Sequence, residues 1–338
     1  MVRLMGLKDH WDWLLSLLHH DRDIRQSRAA LDEEIERLVE QMSPAIRNVR
    51  GYRKQLRIPF EKAKKYIEEL VAAIPGPLQL SAADWGKGSS VELLFVDANQ
   101  IRELFRNSVA LQSFFQKDST EQTVALLTAT RSEKTIFANE LQGEITRRDV
   151  PHLAVDFTDH RVVWPAATET LNRRAVREGA LRLLGLRAME HLTNLKSQKV
   201  ALAEEKRLLE VKLKILQAHN RSLEGMVESD RQSGVTTARI RELLTEISKK
   251  LDTVTAVIGT PEEALKHFLS FLNNPEHVLT IRPLTLRLDW RGVKVDEVAE
   301  DSGREIRLAE LEIKDRVKRV ALLVTISRDE ILGSGALF

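Results

Sequence analysis

The chain has 338 residues, of which 43% are hydrophobic and 30% are charged, and 52 basic side chains balance 50 acidic ones to a net charge of +2. This length allows two or three domains, and the balanced charge by itself predicts no partner. The sequence contains no cysteine, which excludes disulfides, thiolate metal sites and cysteine nucleophiles. No stretch approaches the roughly 18 apolar residues of a membrane-spanning helix, so we predict a cytoplasmic protein without a membrane span.

The first 20 residues have the pattern of an amphipathic helix. Apolar residues recur three and four positions apart at Leu7, Trp11, Leu14, Leu15 and Leu18. The polar side carries Asp9 and Asp12 beside Lys8, whereas helices that lie on anionic lipid have a basic polar side. We therefore predict that residues 1–20 pack against the rest of the protein or against a partner.

Residues 21–75 form the first predicted helical arm. From Ile24 to Ile74 the apolar residues step by threes and fours, which is the spacing of a helix with a narrow apolar seam. Pro44 and Pro59 are expected to kink or divide the arm, because proline lacks a backbone N–H and clashes with the preceding turn.

Residues 76–169 differ in character, and we predict a small α/β head domain there. Runs of β-type residues predict short strands over residues 91–96, 124–128, 135–141, 152–157 and 161–164. One helix is predicted over residues 99–115. The pattern does not predict the strand order.

Residues 170–259 contain the strongest helical signal in the chain. Leucine recurs at seven-residue intervals, the spacing of a coiled-coil seam, at Leu195, Leu202, Leu209, Leu216 and Leu223. Polar residues at the alternate seam positions, such as Lys199 and Asn220, favour two strands over three. A further apolar seam over residues 240–258 predicts a helix that folds back on the others.

The second arm pairs either with the first arm or with another chain. A parallel pair of second arms would bring Glu205 of one copy opposite Glu210 of the other, which is unfavourable. The two arms, residues 24–74 and 171–227, would have similar lengths of about 75 and 85 Å. We therefore expect an antiparallel intramolecular hairpin that flanks the head, with pairing between chains as the alternative.

Residues 260–338 are predicted to form a short helix and an antiparallel β module. The segment Thr260-Pro261-Glu262-Glu263 combines a capping hydroxyl, a proline at the first helical position and carboxylates that favour a helix N-terminus. Apolar and polar residues then alternate as they do in strands with one buried face. The predicted fold class is therefore α+β and mainly α, with coiled-coil arms, an α/β head and a C-terminal β meander.

Two segments carry residue types that are common in enzyme sites. Groups that could act as acids, bases or metal ligands cluster at Asp149, His152, Asp156, Asp159 and His160. On a strand, however, His152 and Asp156 would lie about 13 Å apart. The glycine-rich segment 86–90 lacks the glycine spacing and the following helix of a phosphate-binding loop. The sequence thus predicts no catalytic residue, metal ligand or cofactor, and an enzyme site in the head is the second alternative.

Basic residues are concentrated in two helical stretches. Residues 44–65 carry eight basic side chains against one acid, and residues 173–199 carry seven against two. A helical face of this kind could neutralise the phosphates of a nucleic acid without reading its bases. The candidate phosphate-binding residues are Arg47, Arg50, Lys54, Arg57, Arg173, Arg174, Arg177 and Arg182.

The leading interpretation of the sequence is a non-enzymatic coiled-coil scaffold or assembly factor. Its head and its β module would bind other proteins, and its seams would allow homo-oligomers. A nucleic-acid-associated protein is the first alternative, and salt-dependent binding to DNA or RNA would distinguish it.

Overall fold

A computed structural model of the chain describes residues 28–40, 44–142, 145–223, 231–258, 260–295 and 303–333. The protein is α+β, with 59% helix and 26% strand, which confirms the predicted fold class at this level. The predicted helix over residues 1–20 lies outside the described residues. Within the described ranges, no helix has both the length and the apolar character needed to cross a membrane.

The chain divides into two compact units, which we call the helical unit and the sheet unit. The helical unit comprises residues 1–62 and 183–273, and the sheet unit comprises residues 63–182 and 274–338. Two helices, α2 (Tyr52–Ala72) and α5 (Glu169–Leu223), contribute residues to both units.

The sheet unit is built on one curled sheet with the strand order β3-β2-β6-β5-β4, in which all these neighbours are antiparallel. The strands are β1 (Leu78–Gln79), β2 (Gln122–Gln142), β3 (Ile145–Ala166), β4 (Leu279–Leu288), β5 (Arg304–Ile313) and β6 (Val317–Ser327). The short β1 pairs in parallel with β6. Because β2 pairs with β6, the strands of the predicted head and of the predicted C-terminal module lie in one sheet. Alternation of apolar residues predicts a strand but not its neighbour, and so the sequence interpretation separated them.

The two end strands of the sheet approach each other. The backbone N–H of Lys294, in the turn after β4, donates to the Leu153 carbonyl of β3 over 2.8 Å. In return, the Gly292 carbonyl accepts from the Val155 N–H of β3 over 2.8 Å. These two bonds satisfy backbone groups that would otherwise be open on the edge of β3.

Helices cover the inner face of the curled sheet. The helices on this face are α3 (Ala98–Asn107), α4 (Val109–Lys117) and the short α8 (Arg328–Gly333). Phe105 of α3 and Phe115 of α4 join one core with strand residues such as Leu127 and Leu322. Ile331 of α8 belongs to the same core.

The outer face of the sheet packs against α5 and the end of α2. Asn172 of α5 is fully buried, and its Nδ2 donates to the Trp164 carbonyl over 2.6 Å and to the Val124 carbonyl over 3.3 Å. Next to it, Arg173 donates to the Val71 carbonyl near the end of α2 over 2.6 Å. The start of α5 is therefore tied to two strands and to α2 through backbone acceptors.

The helical unit contains short and long helices. Its elements are α1 (residues 28–40), a 3-10 helix (Pro44–Asn48), the start of α2, the distal part of α5, α6 (Arg231–Ile258) and α7 (Pro261–Asn273). A new element does begin at Pro44, whereas Pro59 lies inside α2 and does not divide it. The neighbours Leu56 and Phe60 are buried, and their packing offsets the backbone hydrogen bond that Pro59 cannot make.

Two local predictions in the head are corrected. The predicted strand over residues 91–96 is a 3-10 helix, Ser90–Leu93, followed by a turn. A short apolar run does not distinguish a strand from a buried helical segment. The single helix predicted over residues 99–115 is two helices, because the Ser108 hydroxyl accepts from the Leu111 N–H and caps α4.

The predicted start of α7 is confirmed. Thr260 Oγ1 accepts from the Glu263 N–H over 3.3 Å, and the Glu263 carboxylate accepts from the Thr260 N–H over 3.0 Å. This reciprocal arrangement is a capping box, which satisfies two backbone donors at the start of the helix.

Candidate functional site

Two predicted phosphate-binding arginines in the helical unit are paired with carboxylates. Arg57 binds Asp32 through Nε and Nη2, over 2.8 and 2.6 Å. This hydrogen bonding is the main reason why the pKa of the Asp32 carboxyl is lowered. Arg47 Nε lies 2.6 Å from Glu36 Oε1. Both arginines therefore hold α1 against the residues that follow it.

Three of the four predicted arginines of the sheet unit are also paired. Each of Arg173, Arg174 and Arg177 has a nitrogen within 3.3 Å of a carboxylate oxygen. Three of the eight predicted residues are exposed and lack a carboxylate partner among the residues that the structure describes: Arg50, Lys54 and Arg182. A paired guanidinium must leave its carboxylate before it can neutralise a phosphate, so less positive charge is free than the sequence indicates.

The predicted acid/base segment makes structural contacts. His160 Nε2 lies 2.8 Å from the Leu94 carbonyl oxygen, and the imidazole stacks on Phe95 with ring centroids 4.3 Å apart. Burial lowers the pKa of His160, which favours the neutral ring. Asp159 lies 2.7 Å from Arg319, and this hydrogen bond lowers the pKa of its carboxyl. In the described part of the chain, no three histidine or carboxylate side chains are grouped as metal ligands would be.

The predicted leucine seam lies along one face of the distal α5. Its members are half-buried wherever the structure describes their side chains, at Leu195, Leu202, Leu209 and Leu216. The neighbouring α6 buries Ile240, Ile247 and Val254 at seven-residue spacing. The pKa of Lys250 on α6 is raised by its hydrogen bond to Glu246 and, to a smaller extent, by the charge of Glu205 on α5. The two helices therefore lie close enough for their charges to interact.

The face of α5 opposite the seam is apolar and exposed. Six large apolar side chains on it are between 36% and 70% exposed: Leu186, Met189, Val200, Leu208, Val211 and Ile215. At about 100° per residue, these positions lie between about 100° and 180° around the helix from the nearest seam leucine. Three polar residues, Thr193, Ser197 and Glu204, complete the same line. We call these nine residues the α5 stripe; it is about 44 Å long and lies within the helical unit.

The α5 stripe has the chemistry of a helix-packing surface. The solvent face of a surface helix is ordinarily polar, and a line of exposed apolar residues marks a site of interaction. Charged residues border it on both sides. One border carries Lys196, Arg207 and Lys214, and the other carries Glu190, Glu205 and Lys212.

The sequence interpretation missed the stripe because it followed the leucine heptads. The stripe mixes leucine with valine, methionine and isoleucine, and polar residues interrupt it. A search for a second face at steps of three and four along the same helix would have found it.

A second exposed apolar group lies in the sheet unit, in the turn formed by residues 289–293. Asp289 is buried, and its Oδ1 accepts from the N–H groups of Arg291 and Val293 over 2.8 and 2.9 Å. The turn presents Trp290, which is 78% exposed, with the Arg291 guanidinium 5.7 Å from the centre of the indole. Tryptophan and arginine are the residue types most enriched at the energetic centres of protein interfaces.

Comparisons of the chain with protein-family models, with curated proteins and with solved structures found no match.

Proposed function

We propose that the protein is a non-enzymatic coiled-coil scaffold or assembly factor that binds protein chains by helix packing. The observation that carries this proposal is the α5 stripe. One face of the distal α5 carries the half-buried seam leucines of the helical unit. Another face carries a line of six exposed apolar side chains. A helix that is apolar on two opposite faces requires a packing partner on each.

The proposal includes an antiparallel arrangement of the two predicted arms. Within the sheet unit, Arg177 of α5 lies 3.3 Å from Glu68 of α2, and Arg173 reaches the Val71 carbonyl. Later residues of α5 thus pair with earlier residues of α2. This order supports an intramolecular hairpin and leaves the stripe for binding between chains.

The stripe is large enough to support association. Complete burial of a large apolar side chain contributes about 1.5–3 kcal/mol. The six side chains are about half exposed, so their burial contributes on the order of 5–9 kcal/mol. Association costs about 4–15 kcal/mol in lost translational and rotational freedom. A partner helix buries an apolar face of its own at the same time, which contributes a similar amount. The two faces together can therefore offset this cost.

Site-specific photocrosslinking in the cells that produce the protein tests this proposal. A photoreactive amino acid is placed at Val200 or Leu208 in the stripe, and at Ile58 on α2 as the control, because Ile58 is 77% exposed outside the stripe. We expect discrete protein adducts from both stripe positions and none from the control. Absence of adducts from the stripe, or the same adducts from Ile58, contradicts the proposal.

Binding of the purified protein to labelled DNA and RNA distinguishes the scaffold function from the nucleic-acid alternative. The matched variants are Arg50→Glu with Lys54→Glu, which reverse two unpaired charges, and Leu208→Gln, which changes the stripe. The proposal predicts weak binding that neither variant alters. Tight, steeply salt-dependent binding that the charge reversal abolishes would replace the scaffold with the nucleic-acid function.

A further inference from the structure

We infer that the α5 stripe packs against the α5 stripe of a second copy of this chain, antiparallel, with the two-fold axis at Val200. This inference rests on the proposed function and names the partner of its central surface.

The stripe has nearly the same spacing in both directions from Val200. Its other members lie 14, 11, 7 and 3 residues before Val200 and 4, 8, 11 and 15 residues after it. A second stripe running in the opposite direction therefore meets the first in register along its whole length. The facing pairs would be Leu186 with Ile215, Met189 with Val211, Thr193 with Leu208, Ser197 with Glu204, and Val200 with itself.

This register brings apolar side chains together. At the two ends of the symmetric pair, the exposed Leu186 of each copy faces the exposed Ile215 of the other. At the centre Val200, which is 70% exposed, meets its own copy on the axis. A symmetric interface of this kind is isologous and closes as a dimer without leading to a filament.

The polar residue inside the stripe selects the antiparallel orientation. Glu204 lies among the apolar positions, and its side chain is paired with Arg207 over 2.7 Å. In a parallel pair, Glu204 of each copy would face the other in a desolvated position, which is repulsive. In the antiparallel pair it faces Ser197, whose hydroxyl can donate a hydrogen bond to a carboxylate.

The charges along one border also favour the antiparallel pair. Glu190 lies 10 residues before Val200 and Lys212 lies 12 residues after it, on the same side of the stripe. The antiparallel pair therefore brings Glu190 of each copy beside Lys212 of the other, although Glu190 also bonds Arg187 within its own chain over 2.8 Å. On the other border Lys196 approaches Arg207, whose charge the Glu204 carboxylate compensates.

Disulfide cross-linking tests the axis, because the natural chain contains no cysteine. Val200→Cys places two thiols on the axis, and mild oxidation is expected to convert most of the protein to a covalent dimer. Ile58→Cys and Val235→Cys are the controls, since both native residues are at least as exposed as Val200. Equal dimer yields from Val200→Cys and the controls would overturn the inference.

A mixing experiment tests the orientation. Leu186→Cys and Ile215→Cys proteins are oxidised separately and after equilibration together. The antiparallel pair predicts a covalent dimer only in the mixture. Covalent dimers from each variant alone, with none between the two variants, would indicate a parallel pair and overturn the inference.

Sedimentation velocity separates this inference from the proposed function. We expect a dimer for the wild type and an unchanged dimer for Val235→Glu. For Val200→Glu, which buries two facing charges, we expect association to be weakened at least about 100-fold, so that the monomer predominates. Circular dichroism confirms that each variant keeps its helix content. A wild-type monomer whose stripe cross-links to another protein would overturn the inference and leave the proposed function standing. A monomer whose stripe cross-links to nothing would overturn both.

Discussion

The sheet unit and the helical unit differ in how completely they cover their apolar faces. In the sheet unit, α3 and α4 cover one face of the sheet, and α2 with the start of α5 covers the other. In the helical unit, the face of α5 between Leu186 and Ile215 is left open. The same helix thus begins as an element of a closed core and continues as a surface that a further chain can cover. The following predictions test this difference, from the largest expected effect on stability to the smallest.

The closed core of the sheet unit is most sensitive to a cavity. Phe105 of α3 is fully buried, and we expect Phe105→Ala to lower the free energy of unfolding by about 3–5 kcal/mol. Val109 at the start of α4 is 76% exposed. Val109→Ala is therefore the control, and it should change the free energy of unfolding by less than about 0.5 kcal/mol. Chemical denaturation followed by circular dichroism measures both. Similar losses for the two variants would contradict the assigned core.

The attachment of α5 to the sheet depends on a buried amide. Asn172→Ala removes both hydrogen bonds to strand carbonyls and leaves these acceptors buried without that donor. We expect a loss of about 1–3 kcal/mol in the free energy of unfolding. Arg174→Ala, two positions further along the same helix at an exposed side chain, is the control. If Asn172→Ala lowered the free energy of unfolding no more than this control, the two hydrogen bonds of Asn172 would not stabilise the attachment of α5 to the sheet.

Acid is expected to weaken the sheet unit through His160. Burial lowers the folded-state pKa of this imidazole from its ordinary value of 6.5, so below that pH the unfolded chain binds protons that the folded chain does not. Stability should therefore fall as the pH decreases through about 6.5 towards the folded-state pKa. Thermal unfolding over a pH series measures this slope. His160→Gln should flatten it, and an unchanged slope in this variant would assign the pH dependence to other groups.

The smallest effect on folding is expected in the stripe. Leu208 is 55% exposed, so Leu208→Gln should change the unfolding free energy of the separated monomer by less than about 0.5 kcal/mol. The same substitution should strongly weaken association, as measured by sedimentation. A large loss of monomer stability would mean that Leu208 belongs to the folded core of its own chain.

Local patterns in the sequence predicted the elements whose signals lie within a few residues. The helix at Thr260 was predicted from its capping residues, and the long helix α5 was predicted from its leucine spacing. The strand segments at residues 124–128 and 161–164 also lie in observed strands. Each of these signals depends on backbone geometry that neighbouring residues determine by themselves.

Contacts between distant segments were not predicted. The pairing of β2 with β6 joins residues 191 to 205 positions apart, and alternation alone does not specify such a pair. The basic residues show the same limit, because Arg57 is neutralised by Asp32 on another helix. The stripe was missed for a different reason: its spacing of three and four residues is present in the sequence, but the leucine heptads on another face of α5 gave the stronger signal.

The central expectation is that a protein chain covers the stripe in the cell. Single cysteines at Leu208 and at Ile58 can be labelled with a membrane-permeant maleimide in intact cells, with labelling of the denatured protein as the reference. We predict that Leu208→Cys reacts several times more slowly than Ile58→Cys in cells and at a similar rate after denaturation. Equal rates in cells would show that the stripe is open to solvent there and would contradict the account.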